Sequence, residues 1–171
     1  NLAGDAMQRL QPVTHPIPPL YDSRSRILVL GSFPSVKSRE GRFFYHHPQK
    51  RFWRVLAALL ETEVPRTVEE KSRMLLERGV ALWDVIGSCE IAGSQDSSIT
   101  GVVPNDLTPI FSAAPIGAVF LNGGAAFQQY RRAGWDWGVP AARLPSTSPA
   151  NAAWTLPKLI EAWRVILPYL E

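Results

Sequence analysis

Six basic side chains, Lys37, Arg39, Arg42, Lys50, Arg51 and Arg54, crowd one stretch in which only Glu40 offsets them. Phe43, Phe44, Tyr45, Phe52 and Trp53 are interleaved with them, together with the adjacent pair His46-His47. Cations attract phosphates whatever the base sequence, and aromatic faces stack on bases, so this mixture suits a nucleic acid. A solvated charged face is the plain alternative. Confinement of the charge to one loop at a strand end favours contact with a polyanion. Asp84 closes a second candidate strand, where a carboxylate can accept from a ligand N–H or simply cap a loop. His46 and His47 are neighbours in sequence, so at most one of the two faces any site. Cys89 is the only cysteine, which excludes an internal disulfide and a zinc site built from several thiolates.

The elements that must position these residues can be read from periodicity. Ile27, Leu28, Val29 and Leu30 form a continuous apolar run ending at Gly31, as in a strand of a parallel sheet covered on both faces. Ligands of such sheets sit beyond the carboxyl ends of the strands, which is where the basic stretch begins. Phe52, Val55, Leu56, Leu59 and Leu60 recur at helical spacing over residues 51 to 61, so Phe52 and Trp53 read first as helix core. Thr67 and Glu70 make a capping box for a second helix, which Gly79 stops. Residues 80 to 85 form a second strand and 116 to 121 a third. Gly123-Gly124 then open a short helix that ends near Gly134; the glycine pair signals close strand-to-helix packing more than a phosphate cradle. Residues 143 to 145 form a fourth strand, and Leu156, Leu159, Ile160, Trp163, Ile166, Leu167 and Leu170 mark one face of a last helix. The Gly-, Ser- and Pro-rich stretch from 86 to 109 reads as a long functional loop. Alternating strands and helices predict a three-layer α/β/α sandwich around a central, mostly parallel four-stranded sheet.

Composition sets the limits. The chain has 171 residues, 46% of them hydrophobic, enough for one substantial domain. Residues 1 to 25, with Pro12, Pro16, Pro18 and Pro19, read as an extended arm, and residues 26 to 171 as the domain. A formal net charge of +3 says little by itself, so clustering carries the argument. No apolar run approaches the roughly 20 residues that span a bilayer, and the start lacks a signal-peptide pattern, so a cytoplasmic monomer with no membrane partner is expected.

Four motifs occur in order near strand ends: Gly31-Ser-Phe-Pro-Ser35, Tyr45-His-His-Pro-Gln-Lys-Arg-Phe-Trp53, Leu82-Trp-Asp-Val85 and Leu144-Pro-Ser-Thr-Ser-Pro-Ala-Asn151. Over residues 24 to 168 they resemble the uracil-DNA glycosylase superfamily, and within it the hypoxanthine-DNA (deoxyinosine) glycosylase branch. The resemblance implies a DNA repair enzyme that flips a deaminated base, hypoxanthine or uracil, and hydrolyses its N-glycosidic bond. It implies that no metal and no cofactor is used, and it also implies site residues. Tyr45 takes the place of an aromatic that stacks on the extruded base, and Phe33, Pro34 and Ser35 form the loop that lines the base. A deaminated edge pairs a carbonyl with a ring N–H, so Asp84 would accept from the N–H while His46 or loop amides serve the carbonyl. In that branch the His-Pro element continues into a catalytic Asn, where this chain has Lys50; Lys50 is therefore the candidate donor to the leaving base, or a Schiff-base nucleophile. Lys37, Arg39, Arg42 and Arg51 would hold phosphates, and Ser146, Thr147, Ser148 and Asn151 would press on the strand in the minor groove. A lesion-binding protein of the same fold that does not cut, and a nucleotide-binding α/β domain using Gly123-Gly124, are the alternatives.

Overall fold

The computed structural model describes residues 10–46, 50–91 and 99–171, leaving aside the side chains of Val36 and Lys37. In chain order these form β1 (Gln11–Thr14), β2 (Ile27–Gly31), α1 (Val36–Gly41), α2 (Phe52–Leu59), α3 (Val68–Glu77), β3 (Val80–Asp84), β4 (Ile86–Ile91) and β5 (Thr100–Pro104). There follow α4 (Thr108–Ala113), β6 (Ala118–Asn122), α5 (Gly124–Ala133), β7 (Ala141–Leu144), α6 (Leu156–Trp163) and a 3-10 segment, Arg164–Leu170.

The central sheet has the order β3-β2-β6-β7 with every pair parallel, and helices cover both faces, as the alternation of elements predicts. Side chains of a strand point alternately to opposite faces, and β2 shows how this divides the core. Ile27 and Val29 join Val80, Leu82 and Phe120 against Phe52, Val55 and Leu56 of α2, Leu75 of α3, and Leu159 and Trp163 of α6. Leu28 and Leu30 face the other way and join Ala81, Val119 and Leu121 against Ile110 of α4 and Ala126 and Tyr130 of α5. All four β2 side chains are fully buried. Each contributes roughly 1.5–3 kcal/mol by leaving water. The capping box forms: the Thr67 hydroxyl accepts from the Glu70 N–H at 3.0 Å. The Glu70 carboxylate accepts from the Arg66 N–H at 2.8 Å, and the backbone N–H groups of Arg66 and Thr67 hold its pKa below the usual range. The last apolar stripe is helical as far as Trp163 and then tightens, because Pro168 cannot donate the bond that an α-helical turn requires.

The stretch 86–109 is not one long loop. It contains β4 and β5, which pair antiparallel with each other, and β4 also pairs with β1, giving a second sheet of order β1-β4-β5. Part of the segment read as an extended arm is thus a strand. Ile86, Cys89 and Ile91 of β4 bury a small core with Phe33, flanked by Val13, Ile99 and Val102. Register shifts along β4 and β5 break the strict alternation that would have marked them as strands. Residues 31–53 likewise hold a short helix, α1, capped by Ser35, whose hydroxyl accepts from the Ser38 N–H. Among the described residues no helix is long and apolar enough to cross a membrane.

Candidate active site

The last residues of the four parallel strands, Gly31, Asp84, Asn122 and Leu144, stand side by side, because Gly31 is in register with Asp84 and Asn122 with Leu144. They form the floor of a cleft of about 680 Å³. The 31–35 loop, Tyr45, Lys50, Gly123, Gly124, Arg143, Trp154 and the loop that follows Leu144 line it.

Asp84 is the buried carboxylate of this cleft, 4% exposed. Its Oδ2 lies 2.8 Å from Nε2 of His15, and its main-chain carbonyl accepts from Asn105 Nδ2 at 2.8 Å. The other oxygen, Oδ1, sits against the Gly31 backbone: a Cβ at position 31 would fall 2.4 Å from it and 3.3 Å from the Tyr45 hydroxyl. Only glycine permits that approach of the carboxylate to the strand end.

Tyr45 adopts a left-handed φ of 49°, and the Trp53 indole N–H donates to its carbonyl at 3.1 Å. Its ring stacks on Phe52 with centroids 4.1 Å apart, so the helix-core residue Phe52 also backs the aromatic wall of the cleft. Asn122 donates to the Tyr45 hydroxyl at 3.0 Å. Burial, and then the charge of Asp84, push the phenol pKa well above its ordinary value against the opposing effect of Asn122. Tyr45 is therefore a neutral hydroxyl beside an anion.

Asn122 also accepts from the Thr147 N–H and donates to the Thr147 hydroxyl, each at 3.0 Å. Thr147 is 1% exposed, so its side chain anchors the 146–151 loop instead of facing a ligand. Within the loop the Ser146 hydroxyl accepts from the Ser148 N–H and Asn151 Nδ2 donates to the Ser146 carbonyl. Arg51 reaches beneath the same loop and donates to the carbonyls of Thr147, Ser148, Asn151 and Trp154. Its guanidinium is thereby committed to backbone. Ser148 and Asn151 keep partial exposure and line the cleft.

A family model described as the uracil DNA glycosylase superfamily matches residues 18–167. The chain belongs to that superfamily. A relative named hypoxanthine DNA glycosylase from Methanosarcina acetivorans is 31% identical over 135 residues, 78% of this chain and 85% of its own. Another of that name, from Methanosarcina barkeri, is 28% identical over 136 residues, again 78% and 85%. A Methanosarcina acetivorans protein assigned to the uracil DNA glycosylases and solved in solution by NMR superposes with a TM-score of 0.72 at 26% identity, over 94% of this chain and 98% of that one. The enzyme is accordingly a DNA glycosylase, a hydrolase of N-glycosyl bonds with DNA as its substrate.

In this glycosylase the cleft brings together Phe33, Pro34, Ser35, Tyr45, Lys50, Asp84, Ser146, Thr147, Ser148 and Asn151 of the residues singled out from sequence. Phe33 lines the cleft with only 9% of its surface while its ring packs in the small-sheet core, with the Arg39 guanidinium 5.6 Å from the ring centre. His46 lies elsewhere: its ring rests against Gly41, so close that a Cβ there would fall 2.4 Å from it, and its N–H donates to Ser38. Arg42 is exposed at the end of α1 with a left-handed φ of 53°. The Lys37 side chain and His47 fall outside the described residues. His15, Asn122, Arg143 and Trp154 belong to the site without having been singled out. Asn122 could have been found, as the polar residue ending a buried strand just before Gly123; His15 sits between prolines and carries no such signal.

Proposed function

We propose that the glycosylase flips a deaminated purine, hypoxanthine, into this cleft and hydrolyses its bond to deoxyribose without forming a covalent adduct. The observation that carries the reading is the buried Asp84 carboxylate at the strand ends, with Oδ1 turned toward Gly31 and a neutral Tyr45 beside it. Hypoxanthine presents a ring N–H beside a carbonyl, whereas adenine presents an unprotonated ring nitrogen at the same position. A fixed anion therefore attracts the first and repels the second. The two relatives named hypoxanthine DNA glycosylase support the same substrate.

On this reading Tyr45, backed by Phe52, offers its ring to the flipped base, and Lys50 at the cleft wall donates a hydrogen bond to the base as it leaves. The C–N bond breaks with its electron pair going to the base. Water then adds to the cationic sugar carbon and loses a proton, leaving an abasic site. The Asp84 charge also lowers the cost of the developing sugar cation. A panel of duplexes containing inosine, uracil, xanthine or only normal bases tests the proposal under single-turnover conditions with borohydride present. Release of hypoxanthine without a trapped adduct is expected. A trapped adduct would instead assign Lys50 the nucleophile's role, and binding of inosine DNA without release would make the protein a lesion binder.

A further inference from the structure

The matched family segment begins at residue 18, yet the side chain bonded to the carboxylate of the cleft lies ahead of it. We propose that His15 is a positioning residue of the glycosylase reaction: it holds Asp84 with a single carboxylate oxygen free to act, so the N-terminal strand is part of the active centre. The inference rests on the role given to Asp84 above.

Four observations carry it. The His15 Nε2 to Asp84 Oδ2 contact is 2.8 Å long, with the two side chains only 2% and 6% exposed. A carboxylate so far from water requires a donor. The tautomer follows from the other ring nitrogen, since Nδ1 accepts from the Ile17 N–H at 3.1 Å. Its lone pair is in use there, so the ring proton resides on Nε2 and points at Asp84. The imidazole is therefore neutral, and it orients Asp84 without cancelling the charge that would read a base N–H. Its own orientation is over-determined. Phe33 and Trp83 pack edge-on at 5.8 and 5.9 Å, the Trp83 indole donates to the Ile17 carbonyl at 2.9 Å, and the main-chain N–H of His15 donates to the Gly87 carbonyl at 2.7 Å, which fixes the backbone that carries the ring. Oδ1 is left against Gly31, at the cleft floor.

A histidine enclosed by aromatics can also be mere structure, and two substitutions separate the cases. His15→Gln places an amide N–H where Nε2 stood and keeps the bond to Asp84. His15→Asn keeps an acceptor for the Ile17 N–H but cannot reach Asp84. Single-turnover release of hypoxanthine, affinity for intact inosine DNA and the unfolding midpoint are measured for both. At saturating enzyme the Asn variant should lose on the order of 100-fold in rate, beyond any loss of affinity for inosine DNA, as expected of a misplaced reacting group, while the Gln variant stays within about 10-fold of the parent. Equal rates for the Asn variant and the parent, or an equal loss in both variants, would overturn the proposal. Imidazole ¹⁵N spectra of the protein without DNA decide the matter even if an Asn variant does not fold or the parent releases no base. A slowly exchanging Nε2–H on His15, lost in Asp84→Ala, supports the positioning role, and an Nδ1–H tautomer contradicts it. Absence of release by the parent, with the expected spectra, would count against the proposed substrate and not against His15.

Discussion

Tyr45 shows how much chemistry one side chain draws from its surroundings. Its hydroxyl is enclosed and faces the Asp84 anion, so the folded protein holds the phenolic proton more tightly than the unfolded chain does. The sign follows directly. Stability from this group is complete below the ordinary phenol pKa of 10.0 and is lost as pH rises from there toward the higher folded value. Tyr45→Phe keeps the ring on Phe52 and removes the titrating group. Unfolding free energies measured in urea between about pH 8.5 and 11 should therefore fall more steeply for the parent than for Tyr45→Phe. Parallel curves would mean that the hydroxyl is not enclosed as described.

At the scale of elements, the 146–151 loop is fixed from below by Arg51, just ahead of α2, and by Asn122 at the end of β6. Sequence reasoning assigned Arg51 to phosphate because it lies in a basic run. Nothing local could show that its guanidinium turns inward to main-chain carbonyls roughly 100 positions later. Arg51→Lys keeps the charge but cannot span the same carbonyls with one ammonium group. We expect a loss of roughly 1–3 kcal/mol in affinity for inosine DNA, by analogy with breaking hydrogen bonds of a charged donor, with the salt dependence unchanged. Fluorescence anisotropy across a salt series checks both parts. Three of the four parallel strands were legible because each is a compact apolar run ending in Gly31, Asp84 or Asn122. β4 was not, because Gly87 and Ser88 interrupt its pattern and its partners, β1 and β5, lie far off in sequence or carry few large apolar residues. His15 was hidden for the same reason: its partner Asp84 is 69 positions away.

At the scale of the whole molecule, the two sheets divide the work. The parallel sheet presents four strand ends as a floor, and the antiparallel sheet carries Phe33 and, through β1, His15 to its edge. The basic cluster divides too. Arg51 serves the protein, whereas Arg39 and Arg42 remain as candidates for the DNA backbone. Replacing Arg39 and Arg42 together with Gln should make the slope of log affinity against log salt shallower by about two. An unchanged slope would show that both face only water.

The central claim is that the Asp84 carboxylate makes the cleft prefer the N–H edge of hypoxanthine to the bare ring nitrogen of adenine, and one ratio measures it most directly. Single-turnover release of hypoxanthine and of adenine from matched duplexes is compared for the parent and for Asp84→Asn. A neutral amide can turn its N–H toward the adenine ring nitrogen, so the variant should release hypoxanthine on the order of 100-fold more slowly and its preference for hypoxanthine over adenine should shrink at least tenfold. An Asp84→Asn enzyme with the parent's rate and the parent's preference would contradict the account.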